Sequence, residues 1–155
     1  MPKTSAGLIL YRKKEGKLQV LLVHPGGPLW ARKDQWSIPK GELDDAPAGG
    51  DYLATAKREF AEETGFPPPN GEFVSLGSIR QKGGKIVHAW ACEGDVDTTA
   101  IKSNMFSMEW PPRSGREQSF PEIDRGEFFA LAEAKQKINP GQIDFLVRLQ
   151  EARGE

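Results

Sequence analysis

The sequence predicts an α/β (α+β) fold in which a mixed β-sheet is flanked by α-helices. Three observations predict it. Two apolar, β-compatible runs stand near the N-terminus, at residues 4–12 and 18–24. A helix with a cap at each end follows at residues 51–64. The later strand-like and helix-like segments come without regular βα alternation, which argues against an all-parallel sheet.

Each element has a local reason. Residues 4–12 are rich in β-compatible side chains, and residues 13–17 carry the turn signal Glu15-Gly16. Residues 18–24 (LQVLLVH) are almost continuously apolar, as in a strand covered on both faces. Pro25-Gly26-Gly27-Pro28 breaks the chain, and residues 36–38 form a short strand leading into Pro39-Lys40-Gly41. In the helix at 51–64, Asp51 is the N-cap and Gly65 stands at the C′ position. Its inward stripe is Leu53, Ala56, Phe60 and Thr64. Residues 66–71 are a loop. Residues 73–80 and 86–92 form a hairpin about Lys82-Gly83-Gly84-Lys85, whose Gly-Gly pair suits a primed turn. Residues 95–104 have no clear pattern. Residues 105–110 read as a strand, 111–119 as a polar loop and 127–130 as a short strand. Helices follow at 131–138 and 142–153, separated by Asn139-Pro140-Gly141. The inner side of the last helix is marked by Ile143, Leu146, Val147, Leu149 and Gln150.

The 155 residues suit one domain spanning 1–155, large enough to bury a core without staples. A hydrophobic share of 37% and a charged share of 28% are those of a folded soluble chain, not a disordered one. The net charge of −1 supplies no general attraction to nucleic acid or to an anionic membrane. Cys92 is the only cysteine, so an intrachain disulfide and a cysteine zinc site are excluded. No stretch approaches a membrane span or the core of a signal peptide. The expected setting is the cytoplasm.

The informative segment is Arg58-Glu59-Phe60-Ala61-Glu62-Glu63-Thr64-Gly65. Glu59 and Glu63 are four apart on one helix face, with Glu62 beside them. Close like charges on a helix cost about 0.2–0.5 kcal/mol per pair. Acids at the negative C-terminal pole cost about 0.3–1 kcal/mol more. A divalent cation would relieve both penalties; a solvated acidic face is the other reading. Ligands that are all oxygen favour magnesium or manganese over zinc, and magnesium favours phosphate chemistry.

With its approach Trp36-Ser37-Ile38-Pro39-Lys40-Gly41-Glu42, this segment resembles the Nudix box, G-x5-E-x7-R-E-U-x-E-E-x-G-U with U a bulky apolar residue. The second half matches at every specified position through Phe66. The opening strands and residues 122–134 also resemble the family, so the likeness covers nearly the whole chain, and it is nearest to bacterial predicted nucleoside-triphosphate pyrophosphohydrolases of MutT-like type. The first half departs. Gly41 lies seventeen positions before Arg58 instead of fourteen, so the loop at 43–51 carries about three extra residues. Gly50 stands where the first glutamate belongs, with Asp44, Asp45 and Asp51 as alternative substitutes.

The resemblance implies a Nudix fold, a mixed sheet sandwiched between helices, and a magnesium-dependent hydrolase with manganese as the other metal. It implies Glu59, Glu62 and Glu63 as metal ligands, Glu59 as candidate general base and Arg58 as the residue orienting it. The carbonyl of Lys40 or Gly41 completes the shell. Glu122 is the candidate acid from outside the box, against the alternative of a loop acid facing water.

The expected partner is a small nucleotide: a nucleoside triphosphate, a diadenosine polyphosphate or a capped RNA end. Neither a membrane nor other nucleic acid is expected, and the oligomeric state is not readable. Candidate substrate contacts are Lys40, Trp36, Arg32 and Arg80, with Lys33 and the basic hairpin tip at 80–85 near them. Arg113 and Arg116, on the loop after Trp110, are two further candidates for a phosphate. Trp30, Trp90, Trp110 and Phe106 are candidate base-stacking residues, with core packing as the alternative for each. His24 and His88 read as structural strand residues. Two further readings stay open: a nucleotide-binding module that has lost turnover through the altered loop, and a structural domain with an acidic surface.

Overall fold

A computed structural model describes residues 3–43 and 51–153. Strand β1 (Thr4–Lys14) lies at the centre of the main sheet, parallel to β5 (Ile86–Glu93). On its other side it has two partners in succession. β2 (Lys17–Pro25) pairs with residues Tyr11 to Lys14, and β3 (Lys40–Glu42) pairs with Ser5 to Gly7. The β1–β2 turn is tight because Glu15 and Gly16 both take positive φ, 54° and 77°, as a primed hairpin turn requires. Beyond that pairing β1 and β2 part, and the segment before β3 fills the gap. The Leu8 amide donates to the Pro39 carbonyl at 3.1 Å, and Val23 and Ser37 exchange amide–carbonyl bonds at 2.8 and 2.9 Å.

β4 (Val74–Arg80) flanks β5 and β8 (Ile123–Ala130) flanks β2, giving the order β4-β5-β1-β2-β8 with β3 on β1. A separate ribbon pairs β6 (Met105–Glu109) with β7 (Glu117–Pro121).

The period of two along each strand divides the core. Ala6, Leu8, Leu10 and Leu21 face α1 (Tyr52–Thr64), where they meet Ala56 and Phe60. Ile9, Val20 and Leu22 face the opposite layer, α2 (Leu131–Lys137) and α3 (Ile143–Arg153), through Ala134, Phe145, Leu146 and Leu149. The sheet is thus sandwiched between helices, as expected. Phe60 and Phe145 are fully buried, and each ring contributes about 1.5–3 kcal/mol relative to exposure.

Both caps of α1 form. The Asp51 side chain accepts from the Ala54 amide at 3.0 Å. Gly65 takes φ 80°, and a Cβ there would lie 2.7 Å from the Lys102 carbonyl oxygen, so conformation and space both require glycine.

Several expectations are corrected. The buried positions of α1 are Thr55, Ala56, Phe60 and Thr64, so Leu53 yields its place to Thr55. On α3 the fully buried ring is Phe145, while Val147 and Gln150 lie at the margin. Part of the polar loop at 111–119 is strand β7, and β8 starts at Ile123 rather than at 127. The extra residues of the 43–51 loop, with Asp44, Asp45 and Gly50, lie outside the described residues.

Candidate active site

Two segments meet at the C-terminal half of α1. The first is the chain that fills the β1–β2 gap and ends in β3. It is held by Gln142, fully buried, whose Oε1 accepts from the Ile38 amide at 3.1 Å. It delivers Lys40 and Gly41 against the helix. The Lys40 amide donates to Glu63 Oε1 at 3.3 Å. Gly41 lies against Glu59 so closely that a Cβ on it would be 2.0 Å from the Glu59 carboxyl carbon. Arg58 stands 3.6 Å from Glu59 Oε1.

The second segment arrives through the main chain. The Asn104 amide donates to the Glu62 carbonyl at 3.0 Å, the Glu122 amide to the Asn104 carbonyl at 2.9 Å, and the Gly26 amide to the Glu122 carbonyl at 2.8 Å. These bonds satisfy a carbonyl at the exposed end of α1 and carry Glu122 to the same place.

The electrostatics agree with this gathering. Burial, and next the Glu59 carboxylate, push Glu63 up to about 8, and Glu122 adds to the rise. Burial, then Glu62, raise Glu122. Burial, then Lys85, lower Lys40. Glu59, Glu62, Glu63 and Glu122 therefore act on one another, next to the half-buried Lys40. Lys85 comes from the β4–β5 turn and reaches Glu42 at 3.9 Å, while Lys3 reaches it at 3.8 Å.

Among the described residues no three His, Cys, Asp or Glu side chains are close enough to form a ready metal cluster. The donor set nevertheless fits a hard cation. Its ligands are oxygen only, mutual repulsion is relieved by a positive charge, and Gly41 leaves room for a carboxylate where a side chain would fill the cradle. A cation that keeps several waters needs few protein ligands.

The structure therefore brings together Arg58, Glu59, Glu62, Glu63, Lys40, Gly41 and Glu122. It does not bring Trp36. That residue is 2% exposed, packs edge-on against His24 and Phe129 at 5.2 and 5.0 Å, and donates its indole N–H to Asp34 at 2.8 Å. It is a core residue on the α2–α3 side, so it offers no substrate contact. Arg32 is exposed on the loop after β2, and Arg80 is exposed at the end of β4 opposite Ile86. Arg113 and Arg116 are exposed between β6 and β7. His24 is structural, as expected. It is fully buried, with Nδ1 2.9 Å from Asp124 Oδ1 and Nε2 2.6 Å from the Lys33 carbonyl.

Sequence reasoning missed two residues that build the site. Gln142 read only as the start of the last helix, and Asn104 lay in a stretch without pattern. Lys85 was noted only as part of a basic turn, and no local signal ties that turn to Glu42.

The fold has solved relatives. The Ap4A hydrolase of C. elegans in a binary complex superposes with a TM-score of 0.67 at 19% identity, over 96% of this chain and 97% of that one. The NUDIX domain of Shewanella oneidensis NrtR, complexed with ADP ribose, gives 0.68 at 17% identity over 99% and 89%. A mutT/nudix family protein from Listeria innocua gives 0.64 at 19% identity over 99% and 95%. The family model of the NUDIX domain matches residues 1–149. The chain therefore belongs to the NUDIX family.

Proposed function

We propose that the chain is a magnesium-dependent pyrophosphohydrolase that cleaves a nucleoside diphosphate linked to another group, such as a nucleoside triphosphate or a dinucleoside polyphosphate. The carrying observation is the meeting of Glu59, Glu62, Glu63 and Glu122 at the end of α1, beside Lys40 and Gly41. Ap4A and ADP ribose, named with two structural relatives, are ligands of this class. A cytoplasmic setting suits the single, buried, unpaired Cys92. No helix among the described residues is long and apolar enough to cross a membrane.

Glu59, Glu62 and Glu63 would hold the magnesium, manganese being the alternative, with Glu122 and the Lys40 or Gly41 carbonyl at the edge of the shell. Bound there, the ion neutralises phosphate charge and lowers the pKa of water. Glu59 accepts the proton of the attacking water, and Arg58 holds its carboxylate in place. Lys40 faces the phosphate oxygens. Water oxygen bonds to phosphorus, the anhydride P–O bond breaks, and a nucleoside monophosphate leaves with a phosphorylated remainder. Arg32 and Arg80 are outer candidates for long polyphosphates.

The test is hydrolysis of a nucleotide panel in magnesium by the native protein, Glu62→Gln and Glu63→Gln. Native turnover that falls by about 100-fold or more in both variants supports the reading. Nucleotide and magnesium binding with no turnover would make the chain a binding module and point to the altered 43–51 loop.

A further inference from the structure

A small pocket opens beside Glu122. It lies between the loop after β2 and the β6–β7 ribbon, has a volume of about 230 Å³, and is lined chiefly by Leu29, Trp30, Phe106, Met108 and Glu122. This is below the ~300–1,000 Å³ of pockets that enclose a whole drug-sized ligand, so it takes one part of a larger molecule. Its aromatic walls are fixed in advance. The Phe106 ring packs on Gly27, where a Cβ would lie 2.8 Å from its tip, and leans on Phe120 with centroids 6.0 Å apart. The Trp30 amide donates to the Gly27 carbonyl at 3.3 Å, and the Lys33 ammonium sits over the indole at 5.0 Å. Leu29, at the rim, is 58% exposed, so an apolar side chain is held in water beside an apolar hole.

Chemistry decides what fits. The lining side chains are apolar or aromatic apart from Glu122, which belongs to the carboxylate group. Pro25 has no amide hydrogen, and the Gly26 amide is already bonded to Glu122. The walls therefore offer ring faces and almost nothing that reads the edge of a base. We infer that this pocket receives the nucleobase of the substrate by stacking between Trp30 and Phe106. It demands a base but discriminates weakly among bases, with purines favoured for their larger face. The inference rests on the hydrolase reading for its direction: a base seated here places the attached phosphates toward Glu122 and α1.

Binding of nucleoside monophosphates in magnesium tests the pocket without relying on turnover. AMP, GMP, CMP, UMP and ribose 5-phosphate would be titrated by calorimetry into the native protein, Trp30→Ala, Phe106→Ala and Trp30→Phe, each checked for folding by thermal melting. AMP and GMP should bind within about tenfold of each other and weaken by about tenfold or more in both alanine variants. Trp30→Phe should keep most of the affinity, and ribose 5-phosphate should not respond to any variant. Ribose 5-phosphate binding as tightly as AMP, or folded alanine variants with native AMP affinity, would overturn the pocket. Trp30-dependent AMP binding without hydrolysis of any nucleotide would uphold the pocket and remove the hydrolase reading. Hydrolysis whose kcat/KM is untouched by both alanine variants would do the reverse.

Discussion

The carboxyl group of Glu59 occupies the space in which a side chain on Gly41 would have to stand, 2.0 Å from the position of a Cβ. The two residues come from different elements, and the absence of a side chain on one sets the position of the acid on the other. Gly41→Ala should therefore push Glu59 aside while leaving the core intact. A displacement near 1 Å at a catalytic group costs about 100-fold, so kcat/KM for hydrolysis should fall by about that factor. Thermal melting should change little in comparison. Native activity in the alanine variant would remove Glu59 from its proposed role.

Glu63 gives a pH dependence with a definite sign. Its carboxyl is held up at about 8 from an ordinary 4.5. Between those values the folded protein keeps a proton that the unfolded chain has released. Without metal, stability must therefore fall as pH rises through this window. The loss is absent below the lower value and complete above the higher one. Glu63→Gln removes it, so in a chelator the variant should be more stable than the native protein at high pH, by an amount on the order of a few kcal/mol or less. At low pH the two should converge. Melting curves across this range, with and without magnesium, check it. Magnesium should rescue the native protein at high pH and leave the variant nearly unchanged.

His24 is buried between two acceptors, the Asp124 carboxylate and the Lys33 carbonyl. The Lys33 carbonyl can only accept, so Nε2 donates to it while Nδ1 meets the carboxylate. His24→Leu strands both acceptors and should destabilise the fold by about 1–3 kcal/mol. His24→Gln, whose amide can still reach the Lys33 carbonyl, should recover part of that. Urea denaturation midpoints measure the difference. Equal loss in the two variants would mean that ring volume, rather than hydrogen bonding, is what matters there.

Phe60 carries the acidic helix onto the sheet. It is fully buried and lies between Glu59 and the later glutamates in sequence. Phe60→Ala should cost about 3–5 kcal/mol, and Phe60→Leu markedly less. Denaturant titration checks the order. If activity in Phe60→Leu follows stability, the helix acts as a rigid carrier of its carboxylates.

What the sequence revealed follows from the range of the forces involved. The α1 caps, the Glu15-Gly16 turn and the β4–β5 hairpin depend on neighbours in the chain, and they were legible. Strand β7 was not, because it is largely exposed and Glu117-Gln118-Ser119 carry no apolar alternation. The first half of β8 was hidden because Asp124, Arg125 and Gly126 are poor strand formers. Backbone pairing with β2 holds them, and a Cβ on Gly126 would strike Ile101 at 2.5 Å. Trp36 was ambiguous for another reason. Its neighbours say that it precedes Pro39-Lys40-Gly41, but only the gap between β1 and β2 decides that it points into the core. At the site, the box glutamates were legible from spacing, while Glu122 joins them through contacts more than fifty residues apart in the chain.

The hydrogen-bonded path from Glu62 through Asn104 and Glu122 to Gly26 uses peptide groups alone. Place and identity are therefore separable at position 122. The backbone fixes where a side chain will stand relative to the end of α1, and the codon decides what stands there. An amide, a hydroxyl or a base at 122 would inherit the same address without any rebuilding of the scaffold. The chemistry at the edge of the site is thus open to revision one residue at a time, while the cleft that frames it stays as it is.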